Sequence, residues 1–170
     1  YYIFYTALSQ YPFRAEGIKL GLAITKDFKK IIKKYPVTPF NAKAMALFPS
    51  KINGKMAAIL TVNTDNPPVR IGIAFFDRED QIWSREYWEN WYSSLDEHSI
   101  FLERSPKDHV EVGAPPIKTK HGWLVIYSYI QNYFSPPSTF GIEAVLLDLK
   151  NPTKIIARTD KPLLFPQEEY

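Results

Sequence analysis

The chain has 170 residues, 45% hydrophobic and 23% charged, with a formal net charge of +3 and no cysteine. That length supports one domain with a real core. The lack of Cys excludes disulfides and thiolate metal sites, and so small and evenly spread a charge argues against nucleic-acid or anionic-membrane partners.

In chain order, residues 1–8 alternate aromatic and small side chains and read as a strand. A loop with Pro12 and Gly17 leads to a second strand, Ile18 to Ile24. Thr25 to Phe28 turns the chain. The following segment, beside Pro36 and Pro39, reads as a turn plus a short extended piece. Lys26 to Lys34 is the densest basic run, broken by Asp27, and reads as a solvated face. Asn53-Gly54 between two apolar runs is a hairpin signal, since both residues accept positive φ. Met56 to Val62 is the returning strand, and Val69 to Phe76 follows a polar loop. Residues 84–95 form the one convincing helix. Ser84 caps it, and Trp88, Trp91, Tyr92 and Leu95 share a face. That stripe reads as a packing surface.

The stretch from His109 to Phe134 organises the rest. A turn-rich approach carries Glu111 and Gly113-Ala-Pro-Pro116, and a tight turn follows at Lys120-His121-Gly122. Trp123 to Ile130 then reads as a strand buried on both faces. Phe140 to Leu149 is a strand. Lys154 to Ala157 is a short one, and Pro162 to Phe165 starts another.

Three units recur, each an apolar strand, a polar loop and a second strand holding Gly21, Gly72 or Gly141. The glycines are 51 and 69 residues apart, and the helix accounts for the longer step. Such spacing predicts blades of a β-propeller, with a sandwich of irregular hairpins as the alternative. The expected blades are 1–45, 46–108 and 109–170. The sequence opens YYIFYTAL, inside a strand and without an initiator Met. Further blades are therefore expected, from the rest of a longer chain or from a second polypeptide. No apolar run reaches the ~20 residues of a membrane span, and no signal peptide is visible. The expected location is cytoplasmic.

Three strings carry a resemblance: Leu47-Phe-Pro-Ser-Lys-Ile-Asn-Gly-Lys55; Gly113-Ala-Pro-Pro-Ile-Lys-Thr119 with Gly122-Trp-Leu-Val-Ile-Tyr127; and Leu146-Leu-Asp-Leu149 through Ile155 to Asp160. Together they resemble glycoside hydrolase family 130, the β-mannoside phosphorylases and hydrolases. The resemblance runs over nearly the whole chain. It implies an all-β, partial five-bladed β-propeller of about three blades with an inserted helix, and an oligosaccharide or mannoside substrate. No cofactor or metal is implied.

The departures from the family pattern bear on chemistry. Where the resemblance implies a phosphate-binding His, this chain has Ser128. Where it implies a Lys, the nearest equivalent is His109. A phosphate dianion needs paired positive donors, so phosphorolysis is in doubt. Two carboxylates stand where the phosphorylase pattern has glycine. Glu111 precedes Gly113, and Glu143 interrupts an apolar strand, where an unpaired charge costs several kcal/mol. The resemblance to family members that hydrolyse β-mannosides implies that Glu111 or Glu143 acts as general base on a water. The alternatives are a surface position for Glu111 and a salt bridge to Lys or Arg for Glu143. The acid that the resemblance implies is an Asp in Glu-Asp-Pro-Arg, a motif absent from this sequence. The 170 residues alone are therefore expected to be catalytically incomplete.

Other candidates follow from position. Tyr127, Tyr129, Asn132 and Tyr133, at the end of the central strand, can stack on or hydrogen-bond a sugar, or simply pack. Asn63 and Asp65 occupy the matching strand end one blade earlier. Asn41 and Lys43 precede Leu47-Phe-Pro, and Ala44 stands where the family often has Asp. The favoured reading is inverting hydrolysis of a β-mannoside. A phosphorylase with an altered phosphate site and a non-catalytic binding propeller are the alternatives.

Overall fold

The structure, a computed structural model, describes residues 1–166. It contains three antiparallel sheets. The first has the order β1 (Tyr2–Leu8), β2 (Ile18–Thr25) and β3 (Ile31–Pro36). The second runs β4 (Ala42–Leu47), β5 (Met56–Val62), β6 (Arg70–Phe76), then, after helix α1 (Arg85–Ser93), β7 (Ser99–Ile100). The third contains β8 (His109–Val112), β9 (Ile117–Lys118), β10 (Trp123–Gln131), β11 (Thr139–Leu147) and β12 (Ile155–Arg158). Its order is β12-β11-β10-β8, and β9 also pairs with β10. The sheets are three blades of a β-propeller.

The second sheet is the shared wall. Residues alternate along β5 and β6, so each strand serves two cores. Ala57, Ile59, Ile71 and Ile73 face the third sheet and pack with Val110, Val125 and Tyr127. Ala58, Leu60, Ala74 and Phe76 face the first sheet and pack with Leu20, Leu22 and the helix tryptophans.

The helix forms as its sequence predicts. Ser84 Oγ accepts from Tyr87 N at 3.2 Å, and Trp88 and Trp91 are buried. Their indole N–H groups donate to the carbonyls of Ile82 and Ile73 at 2.9 and 3.1 Å. The repeated glycines have a common reason. A Cβ at Gly21 would lie 2.4 Å from the Tyr5 ring, one at Gly72 2.5 Å from Trp91, and one at Gly141 2.8 Å from Pro162. Each blade uses the missing side chain to seat a ring. Asn53 and Gly54 take φ of 50° and 82°, as the hairpin requires.

Three expectations need correction. The second sheet starts at Ala42, ahead of the division expected at residue 46, because the chain bulges between Lys43 and Ala46 and still pairs on both sides. β10 is fully buried on only one face. Trp123, Val125, Tyr127 and Tyr129 are buried, whereas Leu124, Ile126 and Ser128 are partly exposed. The strand expected from Pro162 reduces to one bridge between Leu164 and Ile142. No described helix is long and apolar enough to cross a membrane.

Candidate functional site

β4 and β8 are edge strands of neighbouring sheets, and a side-chain cluster joins them. In β4 the bulge holds Ala44 at φ 53°. Lys43, beside it, places Nζ 2.5 Å from Glu111 Oε1 on β8. His109 Nε2 lies 2.9 Å from the same oxygen and 3.3 Å from Thr64 Oγ1. An ionised carboxylate only accepts, so the hydrogen sits on Nε2. His109 Nδ1 is buried and has no partner among the described residues. Strand alternation explains the grouping: Val110 and Val112 point into the core, leaving His109 and Glu111 together on the other face.

Aromatic rings close over the imidazole. Tyr133 stacks on His109 with centroids 4.6 Å apart, and Phe134 meets it edge-on at 5.9 Å. The Tyr133 hydroxyl donates to Asp65 Oδ1 at 2.5 Å. That acceptor, with burial, pushes the Tyr133 phenol up to about 12. Burial alone would raise the Glu111 carboxyl. The hydrogen bonds and charges of His109 and Lys43 outweigh it and hold the group down at about 2.

Glu143 is placed quite differently. Its cross-strand partner on β10 is Tyr127, whereas the partner of Glu111 is the next residue, Ser128. Consecutive strand residues point to opposite faces. The two glutamates therefore point to opposite faces of the sheet. Glu143 is fully buried. Arg104 grips it with Nη1 and Nη2, both at 2.8 Å, and the Tyr127 hydroxyl donates to Oε2 at 2.7 Å. Burial first, then the Glu143 acceptor, pushes the Tyr127 phenol up. With both oxygens engaged by a cation and a phenol, Glu143 is a structural ion pair, and its expected role as a water-activating base is corrected.

The pair anchors a longer chain of bonds. Arg104 lies over the Tyr129 ring at 4.4 Å, and its backbone N–H donates to the Tyr129 oxygen at 2.8 Å. The Tyr129 hydroxyl donates to Asp108 Oδ2 at 2.5 Å, and Asp108 Oδ1 accepts from Asn132 N at 3.0 Å. Tyr127 and Tyr129 are thus core supports on the face away from Glu111. Asn132, at φ 53°, serves through its backbone.

Of the remaining candidates, Asn41 is a strut: its Nδ2 donates to the carbonyls of Ala15 and Thr64 at 2.5 and 2.8 Å. Asn63 accepts from the Tyr92 hydroxyl at 2.9 Å. Ser128 lies across from Glu111 and is partly exposed. The structure thus gathers Lys43, Asp65, His109, Glu111 and Tyr133, with Ser128 beside them. Sequence reasoning missed Thr64, Phe134, Arg104 and Asp108. A lone Glu in an apolar strand demands a cation, but nothing local singles out Arg104, 39 residues away. No group of three His, Cys, Asp or Glu able to hold a metal occurs among the described residues.

The class the structure defines is a β-propeller protein whose edge strands bring amine, imidazole, carboxylate and stacked aromatic groups together. The whole chain, residues 1–170, matches the family described as beta-1,4-mannooligosaccharide phosphorylase, and it belongs to that family, glycoside hydrolase family 130. It is 33% identical to a 1,2-beta-oligomannan phosphorylase of Thermoanaerobacter sp. (strain X514), over 98% of this chain and 50% of that protein. It is 29% identical to a beta-1,2-mannobiose phosphorylase of Listeria innocua, over 100% of this chain and 43% of that protein. The solved Listeria innocua beta-1,2-mannobiose phosphorylase, in complex with beta-1,2-mannobiose, superposes with a TM-score of 0.71 at 26% identity, covering 100% of this chain and 43% of that one. The chain thus spans about half the length of these relatives.

Proposed function

We propose that this chain forms part of an enzyme that breaks β-mannosidic bonds with inorganic phosphate as acceptor, the Lys43–Glu111–His109 cluster facing the reacting sugar. One observation carries the choice of acceptor: neither glutamate is suited to activate water. Glu111 Oε1 already holds Lys43 Nζ and His109 Nε2, at 2.5 and 2.9 Å, and these partners keep its carboxyl well below the usual range and so a weak base. Glu143 is taken up by Arg104 and Tyr127. Phosphate supplies its own nucleophilic oxygen. That oxygen bonds to C1 as the glycosidic C1–O bond breaks, and an acid protonates the leaving oxygen. Lys43 and His109 are the groups suited to meet the phosphate, as cation and N–H donor. The names of the relatives, phosphorylases of a β-1,2-oligomannan and of β-1,2-mannobiose, support both the sugar and the acceptor.

A second reading, inverting hydrolysis with Glu111 as base, is favoured by one fact. Lys43 and His109 both direct their donors at Glu111, so a phosphate would have to compete for them. Incubating the full protein with β-1,2-mannobiose, with and without inorganic phosphate, decides between the two. Mannose 1-phosphate formed only when phosphate is added is the expected result. Free mannose released equally without phosphate would overturn it.

A further inference from the structure

We propose that Thr61 is a positioning residue for the Lys43–Glu111–His109 cluster: from β5 it holds strand β8 against the second sheet and so fixes Glu111 and His109 where Lys43 meets them. Its role in turnover rests on the β-mannoside reading above, and one arm of the test does not depend on that reading.

Thr61 stands out from its surroundings. It is fully buried. It alternates with Ile59 along β5, on the face that packs against the third sheet, and its cross-strand partner on β6 is Ile71. Valine would fill the same space and suit the strand. The hydroxyl has a specific use, because Oγ1 accepts from Val112 N at 2.9 Å.

That N–H belongs to the free edge of β8. Opposed residues of an antiparallel pair alternate between hydrogen-bonded and non-hydrogen-bonded. Gly113 N donates to the Ile126 carbonyl at 3.1 Å, so Val112, opposite Tyr127, turns its N–H away from β10. β8 is the last strand of its sheet on that side. A buried N–H left without an acceptor is costly. Thr61 supplies the acceptor from the neighbouring blade, 51 residues away in the chain.

The bond lies beside the cluster. Val112 follows Glu111, and the cross-strand partner of Thr61 on β4 is Lys43. Lys43 and Thr61 thus hold two consecutive residues of β8, one through its carboxylate and the other through its backbone. Thr64 adds a contact to His109 at 3.3 Å. Of these three ties, the Thr61 bond alone grips the main chain, from which both functional side chains start. β8 has four residues and pairs along one side only, so its own sheet holds it weakly. A misplacement of about 1 Å can cost on the order of 100-fold in rate.

The test uses the full protein with Thr61→Val, which keeps the shape and removes the acceptor, and Thr61→Ser, which keeps the acceptor. The first arm follows urea unfolding from about pH 5 to pH 2 for wild type and both variants, each beside its Glu111→Gln counterpart. Glu111 faces Lys43 from β4 and His109 on its own strand, with the Tyr133 phenol nearby. A carboxyl released from Lys43 and His109 moves back towards its ordinary value and loses less stability in acid. The acid-dependent loss due to Glu111 should therefore shrink by about half or more in Thr61→Val and persist in Thr61→Ser. A stability deficit equal at every pH shows a purely structural threonine and overturns the proposal.

The second arm measures kcat/KM for β-1,2-mannobiose with phosphate, at a temperature where circular dichroism shows every variant folded. Thr61→Val should lose roughly tenfold, and Thr61→Ser should stay within about twofold. Added to Lys43→Met, Thr61→Val should cost less than it does alone. Losses that multiply in the double variant, or wild-type kinetics in Thr61→Val, overturn the proposal. A wild type without phosphate-dependent turnover overturns the phosphorolysis reading, and the acid arm then decides the role of Thr61. Should Thr61→Val not fold, Thr61→Ala, which leaves room for a water at Val112 N, replaces it in both arms with the same expected results.

Discussion

Glu111 and Glu143 lie on opposite faces of one sheet, because their cross-strand partners, Ser128 and Tyr127, are consecutive residues of β10. From this register follow two carboxylates with different chemistry. One sits in a partly open cluster between two blades. The other is sealed in a core.

Glu111 makes stability depend on acid pH. Its folded value, about 2, lies below the ordinary 4.5. A depressed carboxylate contributes stability that is fully present above the unfolded value and is lost as pH falls through the folded one. The wild type should therefore lose about 2 kcal/mol relative to Glu111→Gln between about pH 5 and pH 2, the figure being reduced for partial solvent screening. Urea unfolding across that range measures it. Parallel pH curves for the two proteins would show that the Lys43 and His109 contacts do not persist in solution.

Arg104 and Glu143 should behave as a buried pair. Arg104→Ala leaves an unpaired carboxylate in the core and should cost about 3–5 kcal/mol. Replacing both partners, as Arg104→Met with Glu143→Leu, removes the stranded charge and should be less damaging than the single change. Chemical denaturation of the three variants gives the cycle. A double variant destabilised by the sum of the singles would contradict the pairing.

Gly72 is a steric test of the blade repeat. Its added Cβ would sit 2.5 Å from the Trp91 ring, which is buried and hydrogen-bonded to the Ile73 carbonyl. Gly72→Ala should cost about 1–3 kcal/mol through overpacking. The readout is the thermal midpoint, together with the tryptophan near-ultraviolet signal.

Lys43 separates binding from folding. The Lys43–Glu111 pair is partly exposed, so Lys43→Met should change stability by only about 1 kcal/mol. If phosphate is the acceptor, the same change should raise the KM for phosphate and lower kcat/KM by about 100-fold. Full activity in this variant would take Lys43 out of the site.

Much of the fold was legible because it is written in local pattern. The two-residue alternation of β5 and β6, the Asn53-Gly54 turn, the Ser84 cap and the three glycines each act within a few residues of themselves. β4 was not legible as a strand, because its bulge interrupts the alternation at Ala44. The candidate site was half legible. Asp65 and Tyr133 were legible from strand ends, and Lys43, His109 and Glu111 from their places beside the family's motifs. Thr64 and Phe134 belong to the same loops but carry no signal of their own.

The sequence by itself determined the longer strands, the blade repeat and the family, because backbone periodicity, turn chemistry and long collinear motifs are properties of neighbours along the chain. It also determined that Glu143 required a partner, since a charge in an apolar strand cannot stay unpaired. Only the tertiary structure decided which partner that was, and which glutamate faces the cluster. Both depend on strand register, and a shift of one residue sends a side chain to the other face of its sheet. Contacts spanning 39 residues, as between Arg104 and Glu143, and the 68 residues between Lys43 and Glu111, are set by how the blades pack.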